Sequence, residues 1–107
     1  MKRLIAVALT SAFLIALAVP AFASAPRKSV TIGDDFYRPT SLKIKHGTKV
    51  VWKWTGMHTH NVTVVSGPES FHSADKSSGT YSHTFKKKGT WHLMCTIHGF
   101  TMTVRAT

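Results

Sequence analysis

The sequence is poor in acidic residues and in cysteine. Among its 107 residues only four are Asp or Glu, and Cys95 is the single cysteine. Four carboxylates are too few for paired-carboxylate catalysis, and no Ser or Cys stands with a His and an acid in a nucleophilic pattern. A glycine-rich loop of the kind that cradles phosphate is also missing. We therefore expect a protein without enzymatic activity.

The one long apolar run lies at the N-terminus. Lys2 and Arg3 precede the mostly apolar residues 4–19, and residues 20–24 read Pro-Ala-Phe-Ala-Ser. This order is typical of a secretory signal peptide, and about 16 residues fall short of the roughly 20 that a spanning helix needs. We expect cleavage after Ala23, with residues 24–107 forming one periplasmic or extracellular domain without stable membrane insertion. The alternative is an uncleaved membrane anchor.

A lone cysteine is unusual in a small exported domain. Cys95 cannot form a disulfide within the chain, and an unpaired thiol outside the cytoplasm is a liability unless something occupies it. One interpretation is a buried apolar side chain. The other is a metal ligand, because His60 lies upstream and His98 and Met102 follow it closely. A thiolate, two imidazoles and a thioether together suit a copper ion that cycles between Cu(I) and Cu(II).

The predicted mature chain is strongly basic. It keeps twelve of the 14 Lys and Arg residues against four acids, a formal charge of +8. Such a balance favours an acidic protein, an anionic surface or nucleic acid as a partner. Because export argues against nucleic acid, we expect a monomer that associates, in a salt-sensitive way, with proteins that present acidic docking surfaces. The lysines at 86–88 are interpreted as a solvated hairpin turn.

Short segments rich in Val, Thr, Trp, Tyr and Phe alternate with turn residues along the mature chain. No segment repeats apolar residues at helical spacing for three turns. The pattern therefore predicts an all-β domain, a Greek-key β-sandwich of about seven strands. The predicted strands are 28–32, 41–45, 48–54, 61–65, 80–85, 90–95 and 101–106.

Alternation within these strands predicts which side chains share a face, because residues two apart point the same way. Trp91 and Leu93 fall on the face of Cys95, and His60 aligns with Val62. Cys95 and His60 are therefore expected to emerge at the edge of one core. A metal site covered by loops at the end of a sandwich requires this arrangement.

The mature chain resembles the cupredoxins, the type 1 blue copper proteins of the plastocyanin, amicyanin and pseudoazurin type. The matching segments are Val51-Trp52, His60-Asn61-Val62, Thr84-Phe85, Lys88-Gly89-Thr90-Trp91 and Cys95-Thr96-Ile97-His98. The resemblance implies one copper ion per chain, held in a trigonal plane by His60, Cys95 and His98, with a distant methionine as axial ligand. It also implies that Asn61 fixes the ligand loops by hydrogen bonds.

Met102 is the candidate axial ligand, but its spacing departs from the common patterns. Amicyanin-like chains place this methionine three residues after the second histidine and plastocyanin-like chains five, whereas Met102 is four residues after His98. In the alternative, Met102 is an ordinary strand residue, Phe100 approaches the copper, and the axial position is weak or empty. An axial thioether tunes the potential more than it holds the metal, so both alternatives keep the copper.

The resemblance implies a carrier that shuttles single electrons between redox proteins, with His98 reaching the surface through an apolar patch at Gly99 and Phe100. The alternative of the same fold is a periplasmic copper-delivery protein that uses Met57 and His58 beside the first ligand. A metal-free interaction domain is a third possibility. The remaining histidines are interpreted as surface residues: His46, His72, His83 and His92.

Overall fold

The computed structural model describes residues 25–107, and the predicted signal peptide with its cleavage point after Ala23 lies outside the described residues. The described part contains strands and no helix, so it includes no helix long and apolar enough to cross a membrane. The strands are β1 (Arg27–Gly33), β2 (Phe36–Arg38), β3 (Ser41–Ile44), β4 (Thr48–Trp54), β5 (Thr63–Ser66), β6 (Thr80–Phe85), β7 (Gly89–Met94) and β8 (Thr101–Ala106).

The strands form two four-stranded sheets that pack as a sandwich. One sheet has the order β2-β1-β4-β6 and the other β3-β8-β7-β5. Each sheet contains one parallel pair, β1 with β4 and β3 with β8, beside antiparallel pairs. The predicted all-β sandwich is thus confirmed. The structure has one strand more than predicted, because β2 has only three residues and is too short to show alternation.

Alternating side chains of the two sheets fill the core. Val50, Trp52 and Trp54 of β4 are buried, as are Trp91 and Leu93 of β7. These are the faces that alternation predicts for the two strands. Aromatic rings join the sheets: the Phe85 ring lies edge-on to that of Trp91 with centroids 4.8 Å apart, a favoured arrangement for aromatic pairs.

Strand direction gives the sandwich two distinct ends. We call the end that carries the turn 34–35 and the loops 55–62 and 95–100 the site end. The opposite end, here the far end, carries residues 25–28, the turn 45–47, the turn 86–88 and residue 107. The far-end turns are joined directly, since the Gly47 amide donates to the Phe85 carbonyl at 2.6 Å and the His46 amide to the Thr107 carbonyl at 3.0 Å.

Candidate metal centre

Three predicted ligands converge at the site end. One ligand atom each from His60, Cys95 and His98 lies within 4.8 Å of the others. The two Nδ1 atoms of His60 and His98 are 3.0 Å apart, and Cys95 Sγ is 3.8 Å from His60 Nδ1. His60 and Cys95 are fully buried, whereas His98 is exposed. The group is therefore enclosed on the side of the core and reaches solvent through one imidazole.

A tight loop after β7 places His98 over Cys95. The Cys95 amide donates to the Phe100 carbonyl at 2.9 Å, and the Gly99 amide donates to the Cys95 carbonyl at 2.7 Å. Gly99 has a φ of +83°, in the left-handed region that glycine adopts without steric cost. The loop therefore turns back sharply enough to bring its histidine beside its cysteine.

Asn61 ties the two ligand-bearing loops together. Its Oδ1 accepts the Thr96 amide at 3.0 Å, and its Nδ2 donates to Thr96 Oγ1 at 2.8 Å and to Asp75 Oδ1 at 2.9 Å. The Asn61 carbonyl accepts the Tyr37 hydroxyl at 2.7 Å. Because Asn61 follows His60 and Thr96 follows Cys95, these bonds set the spacing of the two buried candidate ligands. The structure thus places Asn61 where the resemblance implies.

Asp34 contacts the Nε2 edge of the His60 ring, and sequence analysis did not identify this residue as part of the site. Its Oδ1 lies 2.9 Å from His60 Nε2 and accepts the His58 amide at 2.9 Å. The Met57 amide donates to both carboxylate oxygens, at 3.1 and 3.0 Å. The pKa of Asp34 is lowered, first by the Met57 amide, then by the His60 side chain and the His58 amide. Asp34 is thus an ionised acceptor that orients His60.

This contact assigns the His60 tautomer. A carboxylate can only accept hydrogen bonds, so His60 Nε2 carries the proton and Nδ1 presents a lone pair. That lone pair faces Cys95 Sγ and His98 Nδ1. Three donor atoms that converge in this way could hold one metal ion. Two imidazole nitrogens and one sulfur are the donor set that copper takes in trigonal sites, so these residues fit a copper ion.

Met102 lies in the core on the same buried face as Cys95. It pairs with Leu93 across β8 and β7 and is 3 % exposed. The Trp52 indole Nε1 donates to its Sδ at 3.3 Å. Phe100, the other residue considered for this region, packs its ring edge-on against the His60 ring with centroids 5.2 Å apart. Met102 as axial ligand stays a prediction.

The surface beside His98 carries several apolar residues, and Gly99 of the predicted patch is exposed there. Phe100 is half-buried, with its ring centroid 4.7 Å from that of Tyr37. The exposed apolar side chains here are Met57 at 86 % and Ile97 at 45 %. His58 is exposed beside them, and its ring centroid is 6.1 Å from that of His98.

The four remaining histidines lie outside the ligand group. His46, His72 and His92 are exposed, as predicted. His83 is half-buried: its Nε2 is 2.7 Å from Glu69 Oε1, and its ring stacks on Phe71 with centroids 3.8 Å apart. His83 therefore has a packing role, which its outward position in the strand pattern does not indicate.

Comparison with known proteins agrees with this geometry. The plastocyanin/azurin family of copper-binding proteins matches residues 27–107. Amicyanin-alpha of Methylorubrum extorquens is 34 % identical over 96 residues, which cover 84 % of this chain and 81 % of that protein. Halocyanin of Natronomonas pharaonis is 38 % identical over 68 residues, which cover 58 % of this chain and 40 % of halocyanin.

A Cu(I) structure of an amicyanin variant has a TM-score of 0.69 at 28 % identity, covering 76 % of this chain and 82 % of that one. The family match spans every strand of the sandwich and leaves out only two described residues, 25 and 26. The described residues of this chain include a His-Cys-His group positioned for one metal ion. The chain therefore belongs to the plastocyanin/azurin family of copper-binding proteins, the cupredoxins, and its cofactor is a copper ion.

Proposed function

We propose that this protein is an exported, monomeric type 1 copper carrier, not an enzyme, which moves single electrons between redox proteins. The convergence of Cys95 Sγ with the Nδ1 atoms of His60 and His98 carries this proposal, because a trigonal Cys-His-His site is typical of blue-copper electron transfer. Bound copper supplies the one-electron redox chemistry, and the protein supplies geometry and electrostatics.

Hydrogen bonds hold His60 at both its ring and its backbone. Asp34 contacts the His60 ring. The backbone carbonyl of His60 accepts the Trp54 indole N–H at 3.2 Å and the Lys76 amide at 3.0 Å. The His60 amide in turn donates to the Lys76 carbonyl at 2.9 Å. A ligand that is fixed at both its ring and its backbone moves little when the charge on the metal changes. Little rearrangement favours fast electron transfer.

His98 is the proposed point of electron entry and exit. It is the only exposed member of the ligand group among the described residues, and the exposed Met57 and Ile97 lie around it. An apolar surface lets a partner protein approach closely without desolvating charges. The formal charge of +8 on the predicted mature chain supports long-range attraction to negatively charged partners or surfaces.

We propose Met102 as a weak axial ligand. Its side chain lies on the face of Cys95, but its Sδ already accepts the Trp52 indole N–H at 3.3 Å. A sulfur that shares a lone pair in this way donates less to a metal, so we expect a long axial bond and a high reduction potential.

Met102→Leu tests the axial assignment. If Met102 is the axial ligand, the substitution raises the reduction potential further and changes the absorption spectrum, because the axial ligand tunes the potential. Trp52→Phe is the opposing test, since it removes the indole donor and leaves the sulfur free to bind, so it should lower the reduction potential. Identical spectra and potentials for wild type and Met102→Leu would show that Met102 is an ordinary core residue.

The copper site itself is tested on residues 24–107, which include every described strand. After addition of one equivalent of Cu(II), we expect an intense blue absorption band and a narrow copper hyperfine splitting in electron paramagnetic resonance. Cys95→Ser should abolish the band while circular dichroism shows an intact fold. A variant that stays blue would exclude Cys95 as a ligand. Sequencing of the exported protein should begin at Ser24 if the signal peptide is cleaved as predicted.

Copper delivery is the second candidate function, and the position of His58 and Met57 favours it. Both are exposed, and His58 lies 6.1 Å from His98 between ring centroids. A carrier keeps its copper through repeated oxidation and reduction in the presence of a Cu(I) chelator, whereas a delivery protein loses it. Met57→Leu combined with His58→Gln should leave copper retention unchanged in a carrier and slow copper release in a delivery protein.

A further inference from the structure

The basic residues are concentrated at and near the far end, away from the metal centre. The predicted mature chain has twelve Lys and Arg residues. Nine of them lie in the half of the sandwich that adjoins the far end, on strand segments and turns. Strand register places them together: Arg27 pairs with Lys49, and Lys43 pairs with Arg105. The turn 86–88 adds three lysines beside them. All nine are exposed except Lys49, which is half-buried.

The acidic residues lie elsewhere. Asp34, Asp35 and Asp75 are at the site end, where Asp34 contacts His60 and Asp75 contacts Asn61. The fourth acid, Glu69, is paired with His83. The remaining three cations, at 38, 53 and 76, balance the three acids of the site half. The protein is therefore polarised, with its positive charge facing away from His98.

The far end also has a groove. A surface cavity of about 420 Å³ opens there, with Lys28, Lys43 and Lys45 around Pro26 and Ile44. An apolar floor with a cationic rim suits an amphiphile with an anionic head and apolar chains.

The path of the chain points to a membrane as the partner. The Lys49 amide donates to the Pro26 carbonyl at 2.9 Å, so the start of β1 lies at the far end. The predicted signal peptide, residues 1–23, precedes this end in the sequence, and we expect it to bring this end next to the bilayer during export. An acidic redox partner that takes electrons through His98 docks at the opposite end and leaves these cations unused.

We propose that the far end binds the surface of a bilayer containing anionic phospholipid, so that the site end points into the aqueous phase. Each Lys or Arg close to an anionic membrane strengthens binding by about fivefold, and the effect falls off within a Debye length. Membrane binding by the far end is separate from electron transfer and does not depend on bound copper. A protein that fails to bind vesicles could therefore still carry electrons, and the reverse.

Vesicle binding tests the proposal. Residues 24–107 are titrated with phosphatidylcholine vesicles with and without phosphatidylglycerol. Lys87→Gln with Lys88→Gln should weaken binding to the anionic vesicles by about 25-fold, taking fivefold for each cation. Arg38→Gln with Lys53→Gln is the matched control, because it removes the same charge from the site half and should change binding little. Equal losses in the two double variants, or binding that ignores phosphatidylglycerol, would overturn the proposal.

Nuclear magnetic resonance on the Cu(I) or apo protein tests the orientation. With a gadolinium chelate anchored in the anionic vesicles, amide signals of residues 45–47 and 86–89 should broaden while those of residues 98–99 stay sharp. The reverse pattern would overturn the proposed orientation. A chain that ignores the vesicles but binds soluble polyglutamate through Lys87 and Lys88 would instead have an acidic protein as its partner, which also overturns the membrane proposal.

Discussion

Replacing Asp34 with asparagine tests whether the turn between β1 and β2 positions the proposed metal ligand His60. In the native protein Oδ1 accepts the His58 amide and lies 2.9 Å from His60 Nε2, and Oδ2 accepts the Met57 amide at 3.0 Å. An asparagine keeps one carbonyl oxygen, which can accept from His60 Nε2. Its NH₂ group replaces Oδ2 and cannot accept the Met57 amide, so that hydrogen bond is lost. The ring of His60 therefore keeps a partner, which is neutral instead of ionised.

The expected effect follows from the number of acceptors that remain. Loss of a hydrogen-bond partner of a metal-bound histidine costs about 10- to 100-fold in metal affinity. Asp34→Asn retains an acceptor, so we expect a loss near tenfold, whereas Asp34→Ala retains none and should approach a hundredfold. The reduction potential should rise in both variants, because a carboxylate raises the basicity of the imidazole and favours Cu(II).

Asp35→Asn is the matched control. It removes the same charge at the next residue along the chain. Asp35 is exposed and has a φ of +70°, a conformation that asparagine tolerates. Copper affinity is measured by competition with a chelator and the reduction potential by voltammetry. If both asparagine variants change both quantities equally, the effect of Asp34 is that of a nearby charge, and the reasoning from the His60 hydrogen bond is wrong.

Two further predictions concern stability, and urea unfolding measures both. Tyr37→Phe removes the buried hydrogen bond from the Tyr37 hydroxyl to the Asn61 carbonyl, 2.7 Å long, and should lower the free energy of unfolding by about 1–3 kcal/mol because the carbonyl is left without its partner; an unchanged midpoint would contradict this. Gly67→Ala should lower the free energy of unfolding more than Gly79→Ala. Both glycines have positive φ, but an added Cβ would lie 2.7 Å from the Trp91 ring at Gly67 and would meet nothing within 4 Å at Gly79. Equal losses would show that the Trp91 ring moves aside.

The fold was predictable to the extent that it depends on local pattern. Alternation identifies the buried faces of β4 and β7, because a side-chain period of two is a property of each strand by itself. It missed β2, which has three residues. It also placed the start of the fourth predicted strand at 61, whereas β5 begins at Thr63. Asn61 and Val62 are held by hydrogen bonds to side chains and not by strand pairing.

The candidate site was predictable where its residues are close in sequence. Cys95 and His98 share one tight loop, and His60 stands at the edge of the same core. Asp34 was missed because Asp34 and Asp35 form an ordinary turn sequence, and the contact with His60 spans 26 residues. Turn chemistry is the same whether or not the turn touches a ligand, so no pattern in the sequence distinguishes Asp34 from Asp35.

The sequence by itself determined the class of metal and the class of fold, since donor atoms and strand periodicity are properties of residue types and their spacing. Composition also determined a formal charge of +10 for the full sequence, of which +8 falls in the predicted mature chain, but not where the charge lies on the surface. Only the tertiary structure decided that Asp34 orients His60, that Met102 meets Trp52, and that the cations gather opposite His98. These relations depend on strand register and direction, which bring together residues far apart in the chain.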